Sequence, residues 1–239
     1  MASERERTEP AMDRQSSGLT SDAGDRRRAL VAGYSGDVST LEELFGSADP
    51  TVRAAALGGL ERSGNLALEL LVAALSDSAW QVRRRACEIA GTKRRDPAPI
   101  PDDLLAPVVT ALSEILADEE PLVSEAASWA LGELVIIDRT DGEDLGRAVE
   151  KLGAVAANHK DPLCREAAVA ALGSIGDPSS LQLVLDALDD KPPIRRRAAA
   201  ALAAFDDPKA EAALQRCLTD RDWQVRQAAE DLLGIAGTE

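Results

Sequence analysis

The sequence predicts an all-α chain built as a solenoid of stacked helical hairpins. The prediction rests on an aromatic-poor, Ala- and Leu-rich composition, a motif that recurs six times, and a second apolar stretch ahead of each copy. Aromatic residues make up 3% of the 239-residue chain against 45% apolar residues overall. Alanine and leucine lose little side-chain entropy in a helix, so this composition favours helix throughout.

The motif copies are DPTVRAAALGGL from Asp49, DSAWQVRRRACEIAG from Asp77, EEPLVSEAASWALGEL from Glu119, DPLCREAAVAALGSIG from Asp161, KPPIRRRAAAALAAF from Lys191 and DRDWQVRQAAEDLLG from Asp220. The shared frame is an acidic or turn residue, an apolar residue, usually Arg, and then small residues and Leu at helical spacing. Aligned on the residue after the apolar one, the copies place Arg53, Arg83, Ser124, Arg165, Arg195 and Arg226 in register, with separations of 30, 41, 41, 30 and 31. Periods of this size belong to repeat architectures. Upstream stretches at Leu41–Phe45, Leu66–Leu75, Leu104–Leu116, Leu145–Ala157, Leu181–Leu188 and Ala210–Leu218 supply the first helix of each hairpin. The two long periods coincide with TKRRDPAPIP (92–101) and DRTDGED (138–144), which are expected to lengthen the connections between repeats.

Residues 1–28 mix charge with Ser, Thr, Gly and Pro and bury little, so they are expected to form a disordered tail ahead of a helical body at 29–239. Across the junction RRRALVAGY (Arg26–Tyr34) reads as a short helix ending near Gly33 and Gly36, a partial unit ahead of the first full one. The tail holds six basic and six acidic residues, so the net charge of −15 belongs to the body. Two roles stand for the tail: an unstructured leader, or a tether in which Arg26–Arg28 address the acidic body.

The strings DSAWQVR, DRDWQVR, AALGSIGDP and SWALGEL resemble HEAT repeats of the phycobilisome-lyase-like class over about residues 37–236. The resemblance implies a right-handed α-α superhelix of about six hairpins with its second helices on the concave side. It also implies two functional readings, a non-catalytic scaffold for another protein or a chromophore lyase or isomerase subunit.

Each motif acid, such as Asp49, Asp77 or Asp161, is expected to cap the helix that follows. The stacked arginines Arg53, Arg83, Arg165, Arg195 and Arg226 are read as a structural ladder paired with acids of their own or the neighbouring repeat, in preference to an anion-binding stripe. Counting each second helix from its apolar residue as zero, positions 0, 4, 7 and 8 face the core and positions 2 and 6 point away. The outward residues define a candidate groove that includes Arg84, Glu88, Glu125, Trp129, Glu166 and Arg196, extended by Arg85, Glu133 and Arg197. Its charge is mixed, which suits a protein partner better than nucleic acid. Trp129 has two readings, an anchor for the partner or packing against an adjacent repeat. Trp80 and Trp223 read as packing between repeats.

No catalytic residue, metal site or cofactor is expected. His159 is the single histidine, and Cys87, Cys164 and Cys217 are scattered without a metal-ligand pair. Among HEAT-type enzymes, the iron-dependent deoxyhypusine hydroxylases carry repeated His-Glu pairs, and this chain has none. Alkylpurine glycosylases need a basic, aromatic-rich groove that this chain lacks. Glycines such as Gly91, Gly132, Gly173 and Gly176 read as helix terminators. No apolar run reaches the length of a membrane span, so a cytoplasmic protein without nucleic-acid or membrane binding, and monomeric, is the expectation.

Overall fold

The computed structural model describes residues 14–93, 100, 102–135, 140 and 142–234, with side chains from residue 22 onward except 102–104. Among the described residues there are thirteen α-helices and no strand. The chain divides into two compact units, residues 1–66 and 67–239.

The first unit contains α1 (Arg14–Ser35), α2 (Val38–Phe45) and α3 (Pro50–Arg62). The helix expected from Arg26 therefore starts upstream, and residues 14–28, expected within a disordered tail, are helical; residues 1–13 lie outside the described set. Part of the reason lies in partners that the composition of 1–28 does not reveal. Arg26 donates to Thr51 Oγ1 at 2.9 Å, and Arg28 pairs with Asp25 at 3.0 Å and with Glu43 at 3.6 Å. Helix α1 ends at Gly36, whose φ of +72° only glycine adopts readily. Gly33 lies inside α1 instead, where a Cβ would come within 2.8 Å of the Gly59 Cα of α3. The two helices cross on a pair of glycines.

The second unit contains five hairpins. Their first helices are α4 (Leu68–Leu75), α6 (Asp102–Ile115), α8 (Gly142–Asn158), α10 (Leu181–Asp186) and α12 (Pro208–Cys217). Their second helices are α5 (Trp80–Thr92), α7 (Pro121–Leu134), α9 (Pro162–Ile175), α11 (Pro192–Ala201) and α13 (Trp223–Leu233). The second helices stack in order, α5 on α7 on α9 on α11 on α13, and the first helices α4, α6, α8 and α10 form a parallel layer. The long periods arise differently from expectation. Helices α6 and α8 have 14 and 17 residues against 8 for α4, and α8 absorbs Gly142–Asp144 of the second insertion, so the added residues extend helix as well as loop.

The core stripe follows the repeat. Positions 0, 4, 7 and 8 are buried in α5 (Val82, Ala86, Ile89, Ala90), and the same four positions are buried in α7, in α9, and in α11 with the 3-10 turn that follows it. Position 5 is buried as well, at Cys87, Ser128, Val169 and Ala199; α7, α9 and α11 are each flanked by second helices on both sides in addition to their own first helix. In α13, which has no second helix beyond it among the described residues, Leu232 is 42% exposed and Trp223 64% exposed. Trp223 thus does not serve the inter-repeat packing expected of it, and Trp80 is half-buried.

Position 9 corrects the reading of the glycines. Gly91, Gly132 and Gly173 lie within α5, α7 and α9 and terminate nothing; among the four only Gly176, at φ +68°, ends a helix. A Cβ on Gly132 would stand 2.8 Å from the Ala171 Cα, and one on Gly173 2.9 Å from the Ala201 Cα. Glycine is what allows neighbouring second helices to approach backbone to backbone.

Gly132→Ala is therefore expected to destabilise the protein by about 1–3 kcal/mol through overpacking, despite alanine's better helix propensity. Gly146→Ala, on α8 where a Cβ meets nothing within 4 Å, is expected to stabilise by roughly 0.5–1 kcal/mol. Paired urea denaturation curves check both signs.

Candidate protein-binding groove

Across the hairpins, the turns between the two helices carry aspartates of two kinds. Asp49, Asp161 and Asp222 cap second helices, accepting from the amides of Thr51, Leu163 and Gln224 at 2.7, 2.9 and 2.9 Å. Asp77 is not a helix cap: it lies two residues too early, and its carboxylate takes the Ala79 amide at 2.8 Å to close an Asx turn. Asp118 and Asp220 close the same turn onto Glu120 and Asp222, at 2.9 and 2.7 Å.

These turn aspartates receive the stacked arginines. Arg83 grips Asp118 through Nε and Nη2 at 2.6 and 2.9 Å, Arg165 grips Asp190 at 2.7 and 2.9 Å, and Arg195 grips Asp220 at 2.9 and 2.8 Å. The remaining Nη1 of each donates to a carbonyl of its own turn: Arg83 to Asp77, Arg165 to His159 and Arg195 to Asp190, at 2.9, 2.7 and 2.9 Å. Among the described residues Arg226 makes the turn contact alone, to Asp220 O at 2.7 Å, and in the first unit Arg53 donates to the carbonyls of Ser47 and Ala48. One guanidinium thus closes one hairpin and ties it to the next. Such a two-pronged geometry is available to Arg and not to Lys.

The series skips a repeat. Ser124 stands in the arginine position of α7 and donates to Leu116 O at 2.9 Å, while His159 stands where a turn aspartate would receive the rung and accepts the Asp161 amide at 3.1 Å through Nδ1. Beside this gap a cavity of about 370 Å³ opens between α6 and α8, lined by Leu116, Ala117, Ala154, Val155 and His159 among others.

The arginine rungs hold the Asp190 and Asp220 carboxyls below the usual range. Asp118 is lowered too, since burial pulls its value up but the Arg83 and Glu120 hydrogen bonds outweigh that.

On the outer face of the second-helix layer, α7, α9 and α11 form a cavity of about 380 Å³. Of the nine candidate groove residues it collects Glu125, Trp129 and Glu133 from α7, Glu166 from α9 and Arg197 from α11. Glu125, Trp129 and Glu133 are four residues apart and so share one face of α7. A neighbouring cavity of about 440 Å³ shares Ala170, Ser174 and Arg197 with it and continues over α11, so the two form one groove. Ala170, an outward position-6 residue of the expected groove, lies on its apolar floor; the residues that sequence pattern missed are Ala167 and Ala171 beside it and the rim residue Leu163, which is 57% exposed. An alanine floor carries no sequence signal that separates it from an ordinary helix surface.

Arg84, Arg85, Glu88 and Arg196 are not among the residues lining either cavity. Arg84 and Arg85 are engaged by Glu88 at 3.0 and 3.2 Å, and Arg196 donates to Gln224 of α13. Trp129 combines both roles considered for it. A Cβ on Gly91 of α5 would strike its six-membered ring at 2.4 Å, so the indole packs on the preceding repeat, yet it stays 40% exposed and lines the cavity towards α9.

The thiols are poor nucleophiles. Burial pushes Cys87 up to about 12 and Cys164 to about 11, and Cys217 is raised by the same cause. Among the described residues no group of His, Cys, Asp or Glu side chains is arranged to hold a metal, and no helix is long and apolar enough to cross a membrane.

A family model for HEAT repeats matches residues 38–102, 109–203 and 189–239, and the chain belongs to the HEAT-repeat family. The Escherichia coli protein YibA is similar in structure, with a TM-score of 0.60 at 19% identity over 96% of this chain and 77% of that one. An engineered protein superposes at 0.57 with 21% identity, over 83% of this chain and 95% of its own. A designed armadillo repeat protein in complex with the peptide (KR)4 also superposes at 0.57, with 16% identity, over 84% of this chain and 99% of that one. A search of curated proteins by sequence found no match.

Arg165→Ala is expected to cost about 2–4 kcal/mol, since it leaves the mostly buried Asp190 carboxylate without its partner. A carboxyl held below its unfolded value stabilises the fold fully above that value, about pH 4, and loses the contribution as pH falls through the folded one. Melting temperature should therefore drop on acidification below about pH 4, with a shallower fall for the variant; calorimetry from pH 7 to pH 2.5 checks this.

Proposed function

We propose that the protein is a non-catalytic scaffold that holds a segment of another protein in the groove over α7, α9 and α11. The observation that supports the reading is the cavity itself. It presents an exposed indole, an exposed leucine and an alanine floor rimmed by charge, the anchor-and-rim composition of protein-recognition surfaces. The repeat fold has the same use in the designed armadillo protein that holds a peptide.

Nucleic acid is disfavoured as the occupant, because three of the four charged groups lining the cavity are carboxylates and the chain carries −15. Catalysis by a thiol nucleophile is disfavoured by the raised thiols. The narrower likeness to phycobilisome-lyase-like repeats rests on the strings DSAWQVR, DRDWQVR, AALGSIGDP and SWALGEL; the last two contribute Trp129, Glu133 and Ala170 to the groove, but none of the four supplies a catalytic group there. We place the protein in the cytoplasm as a monomer in its free state.

The reading is tested by capture from native extract with the full chain and with Trp129→Ala, each with and without nuclease. A stoichiometric, nuclease-resistant protein retained by the parent and reduced at least about tenfold by the variant is the expected result. Equal retention by both, or retention abolished by nuclease, would sink it.

A further inference from the structure

The charge of the groove identifies the side chain that it is built to receive. Setting Glu133 aside, Glu125 and Glu166 line the α7–α9 cavity together with Arg197. Arg197 meets Glu166 at 3.5 Å through a side chain that is half exposed, a loose contact with a nearly buried carboxylate. Glu125 is half-buried, and none of the described residues forms an ion pair with it. The other arginines of the second-helix face are occupied, Arg84 and Arg85 by Glu88 and Arg196 by Gln224. The cavity therefore carries an excess of carboxylate in a partly desolvated place, with an indole four residues from Glu125 on the same helix face.

We propose that this cavity receives an arginine or lysine side chain from an extended segment of the partner protein, its cation against Trp129 and between Glu125 and Glu166, its aliphatic stem on Ala167 and Ala170. The proposal rests on the scaffold reading and names the chemistry of the partner. An indole and carboxylates act together on such a cation: the ring attracts it through its quadrupole, and the carboxylates gain strength from reduced hydration. The stem needs an apolar floor, which the alanines supply. An acidic segment, a nucleic acid and an anionic membrane surface would each meet the carboxylates as like charge. A purely apolar segment would bury Glu125 without a partner, a costly arrangement.

The full-length protein is titrated calorimetrically at about 150 mM salt with a blocked octapeptide of alternating Arg and Ser, and with its counterpart of alternating Gln and Ser. Binding of the arginine peptide alone is expected. Glu125→Gln and Trp129→Ala should each weaken it about tenfold, and Arg197→Gln should tighten it. Glu150→Gln, on the exposed side of α8 away from the cavity, removes the same charge and should change affinity less than about twofold. Glu125→Gln is nearly isosteric and half-buried, so its result stands even where Trp129→Ala is poorly folded.

Equal weakening by Glu125→Gln and Glu150→Gln would show general attraction to an acidic protein and overturn the proposal, as would no detectable binding of the arginine peptide. A captured protein that depends on Trp129 but is indifferent to Glu125→Gln would overturn the cation while leaving the scaffold reading in place.

Discussion

The bidentate arginine–aspartate rung is the contact that sets the stacking of three of the four successive hairpin pairs in the second unit. A solenoid has no central core, so each hairpin is held only by its neighbours, and the geometry between neighbours must be set locally. Arg83, Arg165 and Arg195 set it by binding two things at once, the carbonyls of their own turn and the carboxylate that opens the next. The turn aspartate is in turn fixed by a backbone amide. Each rung so joins two turns whose backbone groups would otherwise lack partners, which is more than a surface ion pair achieves.

With the turns pinned, the second helices are drawn together along their length, and the position-9 glycines decide how closely. Gly132 and Gly173 bring backbone against alanine, whereas Gly91 leaves a recess that the Trp129 ring fills. The groove follows from this sequence of contacts. An indole that leans on a glycine of the preceding repeat is held in a fixed pose and still presents surface towards α9, where alanines leave the floor open. A binding residue placed this way loses little conformational freedom when a partner arrives.

The gap at Ser124 and His159 shows the same logic by exception. Without the guanidinium, a buried serine hydroxyl satisfies the Leu116 carbonyl, the turn is held by the histidine ring, and the first helices α6 and α8 leave a cavity between them. Both the arginine and its aspartate have been replaced, so no charge is left stranded.

Much of the fold was legible in the sequence because hairpin repeats are encoded locally. The period of the motif located the hairpins, and 100° per residue placed Val82, Val123, Cys164 and Ile194 in the core together with the residues four, seven and eight positions on. Other features depended on the offset between neighbouring hairpins, which spacing along the chain does not contain. That offset decides that Asp77 closes a turn instead of capping a helix, that Gly132 and Gly173 are contact points and not terminators, and that residues before Ala29 join a helix through Arg26 and Arg28. It also sorts the nine outward candidates. All nine look alike as charged or aromatic residues on an exposed helix face, yet only five border one cavity, while Arg84, Arg85, Glu88 and Arg196 lie outside it and pair on their own or a neighbouring helix. The sequence by itself determined which face of each helix is apolar, a property of one helix at a time; the tertiary structure alone decided which exposed side chains meet, because that is a property of how two helices are offset.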